Sequence, residues 1–228
     1  KRMLEHFDIS DVRPVFTPSP ADIYTQVAEA VFRDDDDNKL TSDFDYRGAI
    51  GCLQHLSNTT RPDITAATRF LSTYVSNYRN VHIRFVKRIL KYLELTRDLG
   101  LRYNQDGGSD LIGSCSSLHS EQILHMLNAY TDASWADNYH DGTSNSGICI
   151  MLGNCLIHWK ANKQRIIANS TMESEYMAMS TCIECVKEIR NILLEILAIG
   201  RNTVPIENSN SDGIDNIRKA TVVYGDNL

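Results

Sequence analysis

The sequence predicts a mixed α/β chain of the α+β kind: a mixed sheet crossed by one long helix, preceded by a small, mostly helical region. Three observations predict it. A strand-like run, Leu127 to Ala136, carries Asp132, and two further runs after it are joined by Gly153-Asn154, a two-residue hairpin signal. A long helical pattern then extends from near Ser170 to Gly200. A last strand-like run, 220–226, holds Asp226, and the helix before it lets that run lie parallel to an earlier strand. On this division, residues 1–106 form the helical region, 107–126 a linker or insertion, and 127–228 the sheet domain.

Composition narrows the class. The chain has 228 residues, of which 42% are hydrophobic and 23% charged, as expected of a globular protein. Its net charge of -6 argues against a whole-chain electrostatic pull toward nucleic acid and leaves room only for a local basic stripe. Six cysteines are scattered along it. With no apolar leader after Lys1-Arg2-Met3-Leu4-Glu5-His6, they predict reduced thiols in an intracellular protein. The most apolar stretch, Ile189 to Ile199, is broken by Arg190 and Glu195 and is too short to cross a bilayer, so no membrane partner is expected. The missing initiator Met and the strand-like close lead us to expect a fragment of a longer polypeptide.

Taken in order, residues 1–13 predict a short amphipathic helix. Arg13-Pro14 and Thr17-Pro18-Ser19-Pro20 predict an extended connection, since Pro drives the preceding residue out of the helical region. Ala21 to Phe32 predicts a helix. Asp34-Asp35-Asp36-Asp37-Asn38 predicts a solvated loop; a calcium loop would need alternate acids, a Gly and a closing Glu. Tyr46 to Ser57 predicts a buried helix in which Gly48 and Gly51 permit close packing. Asp63, after the break at Asn58 to Pro62, is expected to cap the next helix. Val86, Ile89, Leu90 and Leu93 then form an apolar stripe, while Arg84, Lys87, Arg88 and Lys91 lie two residues out of phase, about 200° around the helix. This basic stripe is expected to face away from the core, either as a solvated face or as a phosphate contact. Residues 110–126 fit no pattern and predict an irregular insertion. Asn138 to Gly142 is expected to be a loop, Gly147 to Leu152 and Cys155 to Lys160 a hairpin, and Arg165 to Ala168 a third short strand-like run. The long helix is expected to bury Tyr176, Met179, Ile183, Val186, Leu193 and Leu197, and to end at Gly200.

Three carboxylates on two strands and a helix suggest a metal site. Glu173 and Glu175, two residues apart, face opposite sides of the helix. Ser170-Thr171-Met172-Glu173 fits a capping box, in which Glu173 reaches back to the Ser170 N–H, leaving Glu175 for chemistry; taking Thr171 as the cap weakens that choice without reversing it. Three other candidates have bland readings. Cys182-Ile183-Glu184-Cys185 lacks the second ligand pair that structural zinc needs and predicts helix packing. His158 is expected to be structural. Asp137 is expected to be a loop carboxylate past the strand end.

At these motifs the sequence resembles the C-terminal part of a Ty1/copia-type retrotransposon Pol polyprotein, the end of reverse transcriptase followed by ribonuclease H. Leu4 to Ser10 with Pro14 and Thr17-Pro18 resembles the segment after the polymerase palm. Tyr46 to Leu53, Thr60 to Ile64 and Lys87 to Leu93 resemble thumb and connection helices. Tyr130 to Trp135, His158-Trp159-Lys160 and Ser170 to Ala178 resemble the ribonuclease H core. The resemblance implies an RNase H-like mixed sheet and hydrolysis of the RNA strand of RNA–DNA hybrids with two Mg²⁺ (or Mn²⁺) ions. It implies Asp132, Glu175 and Asp226 as catalytic and metal-binding residues, Glu175 because Glu175-Tyr176-Met177-Ala178 matches a Glu-x-Met-Ala pattern. Hard divalent ions prefer such oxygens. The implied partners are the hybrid, held in part by Arg84, Lys87, Arg88 and Lys91, and the rest of the polyprotein, including polymerase palm and integrase. The implied location is the cytoplasm, in virus-like particles, with nuclear entry as an alternative. There are departures. The family's fourth carboxylate falls beyond residue 228, so a C-terminally truncated domain is expected. Gly142-Thr143 stands where the family has a basic pair, and no Tyr-x-Asp-Asp polymerase motif is present. The rival readings are a non-catalytic nucleic-acid-binding connection module and a degenerate element fragment.

Overall fold

The computed structural model describes residues 6–7, 15–32, 43–103, 126–138, 141–202 and 221–225. Most of the expected 1–13 helix, the Asp34–Asp37 run, nearly all of the 110–126 insertion, and Asp226 lie outside these residues. The chain divides into two compact units: Lys1–Leu101 with Ala136–Asn145 and Ala161–Ile167, and Arg102–Trp135 with Ser146–Lys160 and Ala168–Leu228. Among the described residues, α-helices and one four-stranded mixed sheet give the expected α+β architecture, compatible with an RNase H-like fold.

In the first unit, α1 spans Ile23–Phe32, α2 Tyr46–Thr59, α3 Thr65–Ser72 and α4 Asn80–Leu95. They enclose a core around Leu53, Ile64, Leu71, Val86, Ile89 and Leu90. The helix α2 starts on Asp45, whose carboxylate accepts the Gly48 N–H at 2.9 Å. A Cβ at Gly48 would stand 2.0 Å from Asp45 Oδ2, so this glycine clears its own cap. Gly51 has open space around it; neither glycine serves the close helix packing that the sequence suggested.

Asp63 does not cap α3. It lies in a 3₁₀ turn, Pro62–Ile64, where its carboxylate takes the Arg61 guanidinium at 2.7 Å and the Tyr92 hydroxyl at 2.8 Å. Arg61 is 6% exposed and also donates to the Thr96 carbonyl at 2.9 Å and to its hydroxyl at 2.6 Å. A buried guanidinium needs this many acceptors to offset its lost hydration. The network ties the start of α3 to the end of α4. Burial pushes the Asp63 carboxyl up, but Arg61 and the Tyr92 hydroxyl outweigh it and hold it below its ordinary value.

The strands are β1, Leu127–Asn138; β2, Thr143–Leu152; β3, Cys155–Lys163; and β4, Val222–Tyr224, in the order β3-β2-β1-β4. Burial alternates from Leu127 to Asp132 and then lapses, which hid the far end of β1 in the sequence. Asp137 is therefore on a strand, not in a loop. Ala136 has φ 53°, left-handed for a residue with a Cβ, and its N–H donates to Ser144 Oγ at 3.1 Å. The Asn138 amide closes the turn onto the Thr143 carbonyl at 2.9 Å. Arg165 to Ala168 is not a strand. Gly153 has φ 59° while Asn154 does not enter positive φ, the pattern of a hairpin turn with glycine first.

The long helix α5, Thr171–Asn202, crosses between the sheet's edge and its parallel strand. Its burial matches the expected apolar face at Val186, which is buried, and at Leu193, which packs on the same cluster, and departs from it at Tyr176 and Ile183, which are exposed; Ala178, Cys182 and Cys185 are buried in their place. Small side chains bring this helix against Leu127, Ala129, Ile148 and Ile150. The expected packing role of Cys182 and Cys185 holds. The helix also passes Gly200, since an interior glycine costs only about 1 kcal/mol. Among the described residues, no helix is long and apolar enough to cross a membrane.

Two outcomes are expected. Because the folded Asp63 carboxyl lies below its ordinary value of 3.8, its contribution is complete above that value and is lost as pH falls through the lower folded one. Urea midpoints across this acid range should therefore fall more steeply for the wild-type chain than for Asp63→Asn, and Arg61→Ala should cost about 2–4 kcal/mol. Gly153→Ala, at its positive φ, should lower stability by about 1 kcal/mol in the same assay.

Candidate metal centre and basic groove

The pleat of β1 sends Leu127, Ala129 and Thr131 into the core and Tyr130 and Asp132 outward, because alternate side chains take opposite faces. The Ala133 N–H then donates to Asp132 Oδ1 at 2.9 Å and to Glu175 Oε1 at 3.3 Å. One donor thus serves a strand carboxylate and a helix carboxylate, and the two oxygens are no farther apart than the sum of those distances. Asp132 is exposed and Glu175 half-buried, so both keep access to solvent.

Glu173 is used elsewhere. Ser170 Oγ accepts the Glu173 N–H at 3.2 Å, as a capping box requires. The returning carboxylate takes the Asn169 N–H at 2.7 Å and the Asn169 amide at 3.1 Å, one residue earlier than the box assigned from the sequence. This satisfies donors at the helix start. The glutamate that meets Asp132 is Glu175.

The strand β4 pairs with β1 in parallel, Asn128 opposite Val222, Ala129 opposite Val223 and Tyr130 opposite Tyr224. A Cβ built on Gly225 would stand 3.9 Å from the Thr131 carbonyl oxygen and 3.6 Å from Met179 Cε. The residue before Asp226 is therefore beside the residue before Asp132; Asp226 itself lies outside the described residues. Among the described residues, no group of three metal-ligating side chains converges, and two of the three expected carboxylates are described.

His158 sits on β3 with its Nε2 buried and without a hydrogen-bond partner among the described residues. Burial, aided by Lys160, lowers its pKa, with Glu188 opposing.

In the helical unit, the four basic residues face away from the buried stripe of α4, as expected, but three of them are not fully exposed. Arg84 is exposed, but Lys87, Arg88 and Lys91 are half-buried. All four line a groove of about 570 Å³ with Val15, Pro20, Ile83 and Phe85 among its walls. The turn of chain at 15–20 supplies the wall that sequence periodicity could not reveal. Arg88 Nη2 donates to Thr17 Oγ1 at 2.9 Å, and Lys87 Nζ lies 5.4 Å from the centroid of the Phe44 ring.

Comparison with known proteins places relatives around the chain. It is 34% identical over 135 residues to secreted RxLR effector protein 161 of Plasmopara viticola, covering 59% of this chain and 84% of that protein. It is 34% and 33% identical, over 158 residues and 69% of this chain, to the retrovirus-related Pol polyproteins from transposons RE1 and RE2 of Arabidopsis thaliana. The chain spans 10% of the length of each of those polyproteins. No protein-family profile matches it, and no solved structure does.

The use of Glu173 at the helix start gives a stability test. Glu173→Ala should cost about 1 kcal/mol, as a lost cap does, while Glu173→Gln, whose side-chain oxygen can still accept the Asn169 N–H, should cost less. Urea melts of the two variants measure the contrast.

Proposed function

The chain belongs to the copia-type retrotransposon Pol family, and from that premise we propose that it supplies the ribonuclease H activity of such an element, metal-dependent hydrolysis of the RNA strand of RNA–DNA hybrids. The observation that carries the reading is the single Ala133 N–H donating to both Asp132 and Glu175. Carboxylate oxygens are hard donors of the kind Mg²⁺ and Mn²⁺ take, so the donor set fits a pair of such ions. Asp132, Glu175 and Asp226 would hold them. The parallel register supports the third ligand: Asn128 and Val222 are as far apart in sequence as Asp132 and Asp226.

Two bound divalent ions supply an activated water and neutralise the leaving oxygen. The chain's own part is positional. Strand β1 presents Asp132 outward, the first turns of α5 present Glu175 to the same amide, and Glu173 is held at the helix start instead of competing for the site. Arg84, Lys87, Arg88 and Lys91 offer phosphate contacts for the nucleic acid, which would make its binding salt-dependent. The remaining partner is the rest of the polyprotein, with its polymerase palm and integrase.

A second reading, a module that binds nucleic acid without cutting it, is favoured by Arg84, Lys87, Arg88 and Lys91 lining one groove. A labelled RNA–DNA hybrid separates the two. The expected result is cleavage by the chain in Mg²⁺ or Mn²⁺, reduced at least roughly a hundredfold by Asp132→Asn or Glu175→Gln and little changed by Glu173→Gln. Cleavage that survives Asp132→Asn would remove this site assignment; hybrid binding without metal-dependent cleavage would favour the second reading.

A further inference from the structure

A second recess of the first unit lies where α1, the chain just after α3 and the ends of β1 and β3 meet. Tyr24, Tyr74, Asp137, Asn138 and Lys163 line it, and all five belong to that unit. Its volume is about 180 Å³, below the roughly 300–1,000 Å³ of sites that enclose a whole small ligand. It has room for a head group. Tyr24, Tyr74, Asp137 and Asn138 are each half-buried, so the lining is open to a visitor and is not part of the core.

Two polar groups in it are acceptors without donors among the described residues. The Asp137 carboxylate has neither a hydrogen bond nor an ion pair there. The Asn138 Nδ2 donates to the Thr143 carbonyl, the Thr143 hydroxyl and Asn145 Oδ1, which leaves the Asn138 Oδ1 as an acceptor. Lys163 is taken by Asp141, so Asp137, Asp141 and Lys163 together carry one uncompensated negative charge. Asp137 stands near the Tyr24 hydroxyl: burial first, and then this carboxylate, pushes that hydroxyl's pKa above its ordinary value. Phe70 packs edge-to-face against both tyrosines, with ring centroids 4.4 Å from Tyr24 and 5.4 Å from Tyr74. Tyrosine rings attract an ammonium or a guanidinium through their quadrupole, and rings already held in place lose little freedom on binding.

We propose that this recess takes the head group of one organic monocation, an alkylammonium or a guanidinium, with its N–H groups on Asp137 and the Asn138 Oδ1 and its less polar side against Tyr24 and Tyr74. An anion would meet an uncompensated carboxylate. Mg²⁺ gives up its water reluctantly and gains little from aromatic walls. A head group with several donors and a polarising charge suits both the acceptors and the rings. The volume admits one such group, so the rest of a larger ligand stays outside. Its source is either a basic side chain of another protein or a free small amine. The proposal is independent of the cleavage reading, because Asp132 and Glu175 belong to the other unit.

The test is an amide-resolved NMR titration of the full chain with methylguanidinium chloride and with n-butylammonium chloride, against NaCl and MgCl₂ at equal ionic strength. The organic cations should give saturable shifts at the signals of Tyr24, Tyr74, Asp137 and Asn138, and the inorganic salts should not. Asp137→Asn keeps the size of a side chain that has no partner and should weaken binding about tenfold. Tyr24→Leu should weaken it about threefold; should that variant unfold in a thermal melt, Asp137→Asn alone carries the test. A blocked tripeptide with a central arginine separates the two sources. Tighter binding than methylguanidinium assigns the head group to a protein side chain, and binding no tighter assigns it to a small amine. Shifts that do not saturate, shifts that the inorganic salts reproduce, or an unchanged affinity in Asp137→Asn would each overturn the proposal.

Discussion

The parallel pairing of β4 with β1 is the constraint from which the rest of the sheet unit follows. A parallel neighbour cannot be reached by a tight turn; the chain must leave the sheet, cross it and return. The crossing element here is α5, and a helix crossing a sheet must bury one stripe against it. Ala178, Cys182, Cys185 and Val186 do so. Their small volumes bring the helix axis close, and that closeness lets a side chain in its first turns reach the β1 backbone. Glu175 meets the Ala133 N–H because of this approach. Two carboxylates drawn to one amide repel each other, and the shared N–H offsets part of that repulsion.

How far the sequence revealed this depends on which physical signal each part leaves. The hairpin at Gly153-Asn154 and the parallel return were legible, since glycine at a turn and a helix-length spacer between two strand-like runs are local signals. The use of Glu173 at the helix start was legible because Ser170 announces that start. The buried face of α5 was legible only in part, at Val186 and Leu193. A hydrophobicity pattern weights Tyr176 and Ile183 heavily, whereas close packing on a sheet selects alanine and cysteine, which carry little apolar weight. The end of β1 was hidden for a related reason. Beyond Asp132 the strand bends through Ala136 at positive φ, and alternation lapses where the strand continues.

Asp63 shows a different kind of failure. An aspartate just before a helix is a good cap by local rules. Tertiary structure offered it a better partner, the buried Arg61, whose guanidinium would otherwise lose its hydration without replacement. Local capping is worth about 1 kcal/mol, and leaving a buried charge unpaired costs several times that, so the longer-range pair wins. No rule confined to neighbouring residues could have anticipated Tyr92 and Thr96, far along the chain, as the other members of the network.

The same contrast between local and summed properties governs the groove. A net charge of -6 weighed against nucleic acid when the chain was taken as a whole. Yet electrostatic attraction is screened within about a Debye length, roughly 8 Å at physiological salt, so a ligand responds to the charges it touches. On α4 those charges are four cations without carboxylate partners among the described residues, three of them recessed beside aromatic and aliphatic side chains. The carboxylates that dominate the total contribute little there. They dominate instead at places such as Asp132 and Glu175, which share one backbone N–H, so charge of each sign is concentrated locally and the net value describes neither place.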